Sequence, residues 1–217
     1  MRLLYINPNS TEAMTESIVS VARRAAPWDE VLGWTNFDGP PAIQGAADGE
    51  RAVSGLLSLL PEAAETGVDA IVIACFDDTG LTEVRTAAHC PVIGIGQAAM
   101  SVAALHGGRF GIVTTLQVSV PVIEENVKTY GHEPDCAGVL ASGLPVLEVE
   151  AGGSVVESRL AATIRKSRSI GARSVILGCA GMSRLAPAMA ERTGAVLIDG
   201  VRSSAHLAHA LAERYST

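Results

Sequence analysis

Two stretches of this chain align residue for residue without a gap. Gly67–Leu81 reads GVDAIVIACFDDTGL, and Gly171–Leu185 reads GARSVILGCAGMSRL. Cys75 falls on Cys179 and Leu81 on Leu185, the same offset of 104 residues each time. Both stretches open on an apolar run, the pattern of a parallel strand buried on both faces. In both, that run leads to a thiol, where a loop and a helix are expected to begin. A chain that builds the same thiol-tipped strand twice is constrained to a duplicated α/β architecture.

The rest of the chain alternates in the same way. Strands are expected at 2–6, 31–36, 70–75 and 91–95, and helices at 49–66, from the 70–75 strand to about 88, and at 97–106. The first helix is expected to be capped by Asn9 or Ser10, with Asn9 and Glu12 in capping-box spacing. In the second half, 109–114 falls on 2–7, so Thr114 matches Asn7. Helices are expected at 118–130, 154–169 and 200–215, and strands at 136–140, 173–178 and 195–198. This order predicts parallel sheets covered by helices. The fold class is α/β, with two similar domains related by a pseudo-twofold axis. One would comprise residues 1–97 with a returning C-terminal helix in 200–217, the other residues 98–199. Gly94, Gly96, Gly107 and Gly108 are placed to flank the crossover between them. Such sheets bind ligands outside the carboxyl ends of their strands. Cys75, Cys179, Asn7 and Thr114 all fall at those ends, so they are expected to face one interdomain cleft.

Composition narrows the function. The net charge of −7 and pI near 5.2 argue against non-specific binding to nucleic acid or anionic membrane. No apolar run is long enough to span a bilayer, and MRLLYINPNS lacks a signal-peptide h-region. The expectation is a soluble, cytoplasmic protein acting on a small molecule. The four cysteines, Cys75, Cys90, Cys136 and Cys179, are widely spaced with no CxxC, which speaks against zinc. Cys90 and Cys136 have no counterpart at the offset and read as packing residues. The two lysines, Lys128 and Lys166, lie in expected helices, a poor setting for pyridoxal. No glycine-rich nucleotide loop occurs. His206 and His209 are one helical turn apart without a third metal ligand, and read as a packed or exposed face. No cofactor and no metal are expected.

Two thiols across a cleft suit one task in particular. One takes a proton from a stereocentre and the other delivers a proton to the opposite face. An ordinary thiol has a pKa of about 8.5, so a few per cent is thiolate near neutrality. A helix N-terminus after each cysteine would favour the thiolate, and its N–H groups would hold an enolate oxygen.

The chain resembles the hydantoin and allantoin racemases of the aspartate/glutamate racemase superfamily. The resemblance is carried by INPN (Ile6–Asn9), GPPAIQG (Gly39–Gly45), ACFDDTGL (Ala74–Leu81), GIVTT (Gly111–Thr115) and LGCAGM (Leu177–Met182). These motifs span most of the chain in order. The resemblance implies two α/β domains with the site between them, a catalytic pair at Cys75 and Cys179, and a homo-oligomer. Thr79 stands where the family form CFDDPG has proline. Gln44 stands where GPxSIEG has an acidic residue, which bears on the exact substrate.

Amino-acid racemases of the superfamily follow the first cysteine with small polar residues that suit a carboxylate. Phe76, Asp77 and Asp78 follow it here. An aspartate would repel a free carboxylate and raise a neighbouring thiol, but would accept N–H donors from a neutral cyclic ureide. One of the two aspartates is expected to cap the next helix. Asn7, Ser10, Thr114 and Thr115 are candidates for hydrogen bonding to substrate. Ile43 and Gln44 lie in a loop placed to shape the pocket for the C5 substituent, and Ala180 and Gly181 place N–H groups near Cys179. The expected activity is cofactor-independent racemisation of 5-substituted hydantoins or allantoin. Alternatives are an amino-acid racemase or maleate isomerase of the same superfamily and, in another class, a non-catalytic small-molecule binding protein. An arylmalonate-type decarboxylase needs only one protonating thiol, and the aligned pair argues against it.

Overall fold

The computed structural model describes residues 1–213. The first half runs β1 (Arg2–Asn7), α1 (Glu12–Ala25), β2 (Glu30–Thr35), α2 (Ala46–Ser58), α3 (Leu60–Thr66), β3 (Ala70–Ile73), α4 (Leu81–Ala87), β4 (Val92–Gly94) and α5 (Ile95–His106). The second runs β5 (Phe110–Thr114), α6 (Val120–Thr129), β6 (Cys136–Ala141), α7 (Val146–Ala151), α8 (Ser154–Ser169), β7 (Ser174–Leu177), α9 (Ala186–Thr193), β8 (Val196–Asp199) and α10 (Gly200–Ala212). The sheets are parallel, with strand orders β2-β1-β3-β4 and β6-β5-β7-β8. Among the described residues no helix is long and apolar enough to cross a membrane.

The duplication extends to individual hydrogen bonds. Ala74 N–H donates to the Ile6 carbonyl at 2.9 Å, and Gly178 N–H to the Val113 carbonyl at 2.8 Å. In each sheet the strand order reverses between the first two strands to be laid down centrally: β1 and β3, then β5 and β7. At such a switch point the flanking connections leave in opposite directions and open a crevice. Each cysteine lies just past the second strand of its pair.

Several elements depart from expectation. The helix expected at 49–66 is two helices, because Pro61 lacks the N–H that would continue the ladder and occupies the first turn of α3. Asn9 and Ser10 do not cap α1; Thr11 holds that position, without a side-chain cap. Asn9 Oδ1 instead accepts from Thr11 N–H at 3.0 Å, closing a local turn ahead of the helix. Helices α7 and α9 lie in segments where none was expected. Arg214 and Tyr215, expected in the last helix, lie outside the described residues.

Helix α10 returns to the first half. Tyr5 Oη, on β1, is within 3.0 Å of Ser204 Oγ, and His209 Nδ1 is 2.9 Å from the buried Asp29 carboxylate. His206 and His209 both flank Trp28. Helix α5 joins the two sheets, and the expected boundary at residue 97 falls inside it.

Candidate active site

The two thiol-tipped strands end at one cavity. Its first-half wall consists of Ala74, Cys75, Phe76 and Asp77 after β3, with Asn9, Met14 and Ile43. Its second-half wall consists of Gly178, Cys179 and Ala180 after β7, Thr114 and Thr115 at the end of β5, and Ser119 and Val146. The cavity volume is about 30 Å³.

Each cysteine opens a tight turn, closed by Asp78 N–H on the Cys75 carbonyl and Met182 N–H on the Cys179 carbonyl, both at 3.0 Å. Beyond the turns the two halves diverge. Cys179 leads at once into a 3-10 helix, Ala180–Leu185. Cys75 leads into a loop, and α4 begins only at Leu81. The expected helix N-terminus after each cysteine therefore exists for Cys179 alone. The N–H groups of Gly181 and Met182 point at the Cys179 sulfur, while Asp77 N–H and the Thr79 side chain serve Cys75. These donors favour thiolate, yet burial outweighs them. It pushes Cys179 up to about 12, with smaller upward pushes from Asp77 and Glu150. Cys75 lies well above the usual thiol range, first through burial, then through Asp77 and, more weakly, Cys179.

The two aspartates separate cleanly. Asp77 faces the cavity; burial and the neighbouring Asp78 raise it to about 7. Asp78 turns away and caps a helix, though not the next one. It accepts from Gly96 N–H at 2.9 Å and Gln97 N–H at 2.7 Å in the first turn of α5. Burial raises it to about 7 against those bonds and one from Tyr130.

Of the other expected residues, Ile43, Phe76, Thr114, Thr115 and Ala180 line the cavity. Asn7, Ser10, Gln44 and Gly181 do not. Asn7 is fully buried, with its amide spent on Asn9 Oδ1 and Thr15 Oγ1 at 3.0 Å each. Ser10 N–H donates to the Pro40 carbonyl at 2.9 Å, holding the loop that carries Ile43. Gln44 Oε1 accepts from Val146 N–H at 3.1 Å, fastening that loop to the second half. Asn9, Met14, Ser119 and Val146 were not expected. Asn9 shares INPN with Asn7, and the Asn7 hydrogen bonds turn it toward the cavity. Met14, Ser119 and Val146 carry no local signal. No group of three or more His, Cys, Asp or Glu is clustered to hold a metal among the described residues.

Two α/β halves that each deliver a thiol to a shared cavity define the class of two-lobed, paired-cysteine proteins. The chain belongs to the Asp/Glu/Hydantoin racemase family, whose model matches residues 3–208. It is 42% identical to a hydantoin racemase of Rhizobium meliloti over 97% of this chain and 88% of that protein. The allantoin racemase from Klebsiella pneumoniae has a similar structure, with a TM-score of 0.92 and 37% identity over 97% of this chain and 87% of that one. Glutamate racemase from Campylobacter jejuni, 20% identical with a TM-score of 0.69 over 95% of this chain and 84% of that one, shares the fold.

Proposed function

We propose that this protein is a cofactor-independent racemase of 5-substituted hydantoins or allantoin, with Cys75 and Cys179 as its two bases. The observation that carries the reading is the delivery of one thiol from each half, at equivalent strand ends, to a single cavity. The likeness to hydantoin and allantoin racemases supports the reaction class and the ring.

The C5–H bond of a hydantoin lies beside the C4 carbonyl, so its electron pair delocalises into an enolate when the proton leaves. One cysteine, as thiolate, takes that proton and becomes a thiol. The other, as thiol, gives its proton to the opposite face of C5 and becomes a thiolate. No atom is gained or lost, and the two cysteines exchange protonation states. The raised proton affinity of both sulfurs makes the rare thiolate a strong base toward carbon. The donors on each sulfur keep that thiolate attainable. Asp77 accepts a ring N–H. Asn9, Thr115 and Ser119 supply further polar contacts, and Met14, Ile43, Phe76 and Val146 receive the C5 substituent. We also read residues 1–97 with 200–217 as one domain and 98–199 as the other, in a cytoplasmic homo-oligomer.

The test is polarimetry on enantiopure allantoin and on alkyl and aryl hydantoins without added cofactor. Optical rotation should decay, the decay should persist under chelation, and substrate should protect the activity from thiol alkylation. Free aspartate and glutamate should be poor substrates. Cys75→Ala and Cys179→Ala should each lower racemisation by roughly 10²–10⁴-fold, the range for loss of a positioned acid or base. Wild-type racemisation by either variant would refute the two-thiol mechanism. Ligand binding with no loss of rotation would make the protein a receptor.

A further inference from the structure

The Cys75 turn is held from the far half of the molecule. Asp78, which closes it, has φ 50°, and no other non-glycine residue among those described lies in the left-handed region. Aspartate tolerates that region better than most residues, but the conformation still needs support. Part of it comes from the N-terminus of α5. Further support comes from α6 and the residue just past its end. Tyr130 Oη donates to Asp78 Oδ2 at 2.8 Å, and Asn126 Nδ2 donates to the Asp77 carbonyl at 2.9 Å. Asn126 and Tyr130 are four residues apart, one helical turn, and so grip adjacent points of the turn from one face.

Among the described residues, no side chain of the first half hydrogen-bonds the Cys179 turn. The 104-residue offset puts Met182 where Asp78 stands, and the chain continues there as a 3-10 helix. The two thiols thus sit in matching turns of different construction: the Cys75 turn takes side-chain hydrogen bonds from the other half, whereas the 3-10 helix after Cys179 is tied within its own half, Ser183 Oγ donating to Asp199 Oδ1 at 2.7 Å.

We infer that Tyr130 and Asn126 are positioning residues for Cys75 and Asp77, acting across the halves through the Asp78 turn. They touch neither sulfur, and their effect is selective for one thiol. The catalytic consequence rests on the two-thiol mechanism; the positional one does not.

Site-resolved alkylation separates the two. Wild-type protein, Tyr130→Phe and Asn126→Ala are treated with iodoacetamide, and the rates at Cys75 and Cys179 are read by peptide mass spectrometry. Tyr130→Phe keeps the ring and removes one hydroxyl, and unchanged far-UV circular dichroism establishes that it folds. In each variant the Cys75 rate should change at least threefold, with Cys179 within twofold of wild type. On a hydantoin that the wild type racemises, Tyr130→Phe should lower kcat about tenfold with KM within twofold. The inference is overturned if both thiols shift together or if neither shifts. If Cys75→Ala racemised normally, the two-thiol mechanism would fall while the alkylation ratio still decided the positioning role.

Discussion

At the scale of single residues, burial sets the proton affinity of the site. Two donors reach each sulfur, yet Cys179 is pushed up to about 12 and Cys75 well above the usual range. Asp77 bears on both thiols and itself sits near 7, so its charge develops as pH rises through neutrality and then opposes thiolate formation. Asp77→Asn should move the alkylation midpoint of both cysteines to lower pH, and an unmoved or raised midpoint would detach Asp77 from the thiols. The same shift has a sign for stability. The folded value lies above the unfolded one of about 3.9, so the native state holds the extra proton between the two. Asp77 therefore contributes stability in full below about 4, and that contribution is lost as pH rises through about 7. Asp77→Asn should stand more stable relative to wild type at pH 8 than at pH 5, as read by urea unfolding at both. Cys75, Phe76, Asp77, Thr114 and Cys179 were legible in sequence because a strand end is a local feature with a known place in an α/β sheet. Asn7 was misplaced because sequence cannot say which of two neighbouring asparagines turns inward. Val146 reaches the cavity only through tertiary packing.

Elements were legible where hydrophobic period and boundary signals agreed. Helix α8 begins and ends at the expected residues, 154 and 169, with glycines at 153 and 171 close to its two ends. The α2–α3 break was hidden because the apolar spacing runs on through Pro61. The glycines before and within α5 carried a signal of another kind. They were expected to flank a crossover, and besides lying at the start of the connecting helix they make room for the Cys75 turn. A Cβ on Gly96 would lie 2.3 Å from the Phe76 carbonyl oxygen and 2.9 Å from Asp78 Oδ2, and one on Gly94 would lie 2.0 Å from Asp78 Oδ1. Backbone cannot yield as a side-chain tip can. Gly96→Ala should cost about 1–3 kcal/mol, the usual range for overpacking, and should also lower turnover by displacing the turn. Gly67 is the control. It has φ 68°, with nothing within 4 Å of an added Cβ. Gly67→Ala should cost only the backbone strain, about 1–2 kcal/mol, with turnover unchanged. Urea unfolding and initial rates on both variants check this; equal loss of turnover in the two would deny Gly96 its special place.

For the molecule as a whole, the governing fact is that the cavity is small. A volume of about 30 Å³ holds a water or two, whereas ligand pockets run to roughly 300–1,000 Å³. A cyclic ureide enters only if the halves or the loop between them part. The duplicated sheets were legible from the repeat, but how tightly they close was not, since closure depends on contacts between segments far apart in sequence. The Gly39–Gly45 loop makes several of those contacts. Its near end is held to the first half by Ser10 N–H on the Pro40 carbonyl and the Thr11 hydroxyl on the Pro41 carbonyl, at 2.9 and 2.7 Å. Its far end crosses to the second half through Gln44 Oε1 and Val146 N–H, and Gly45 lies so close to Val118 that a Cβ would sit 2.9 Å from its side chain. Ile43 and Val146, on either side of the clasp, both line the cavity. Closing the clasp therefore assembles that wall of the cavity. A net hydrogen bond contributes about 0.5–1.5 kcal/mol, and it acts only in the closed state. Gln44→Ala should raise KM for a hydantoin about 2- to 13-fold, the same free energy expressed as a ratio. Gln44→Glu keeps an acceptor for Val146 N–H and should stay within about twofold of wild type. Steady-state polarimetry on the three proteins decides the matter. If Gln44→Glu weakened binding as much as Gln44→Ala, the side chain would be reading the substrate instead of fastening the loop.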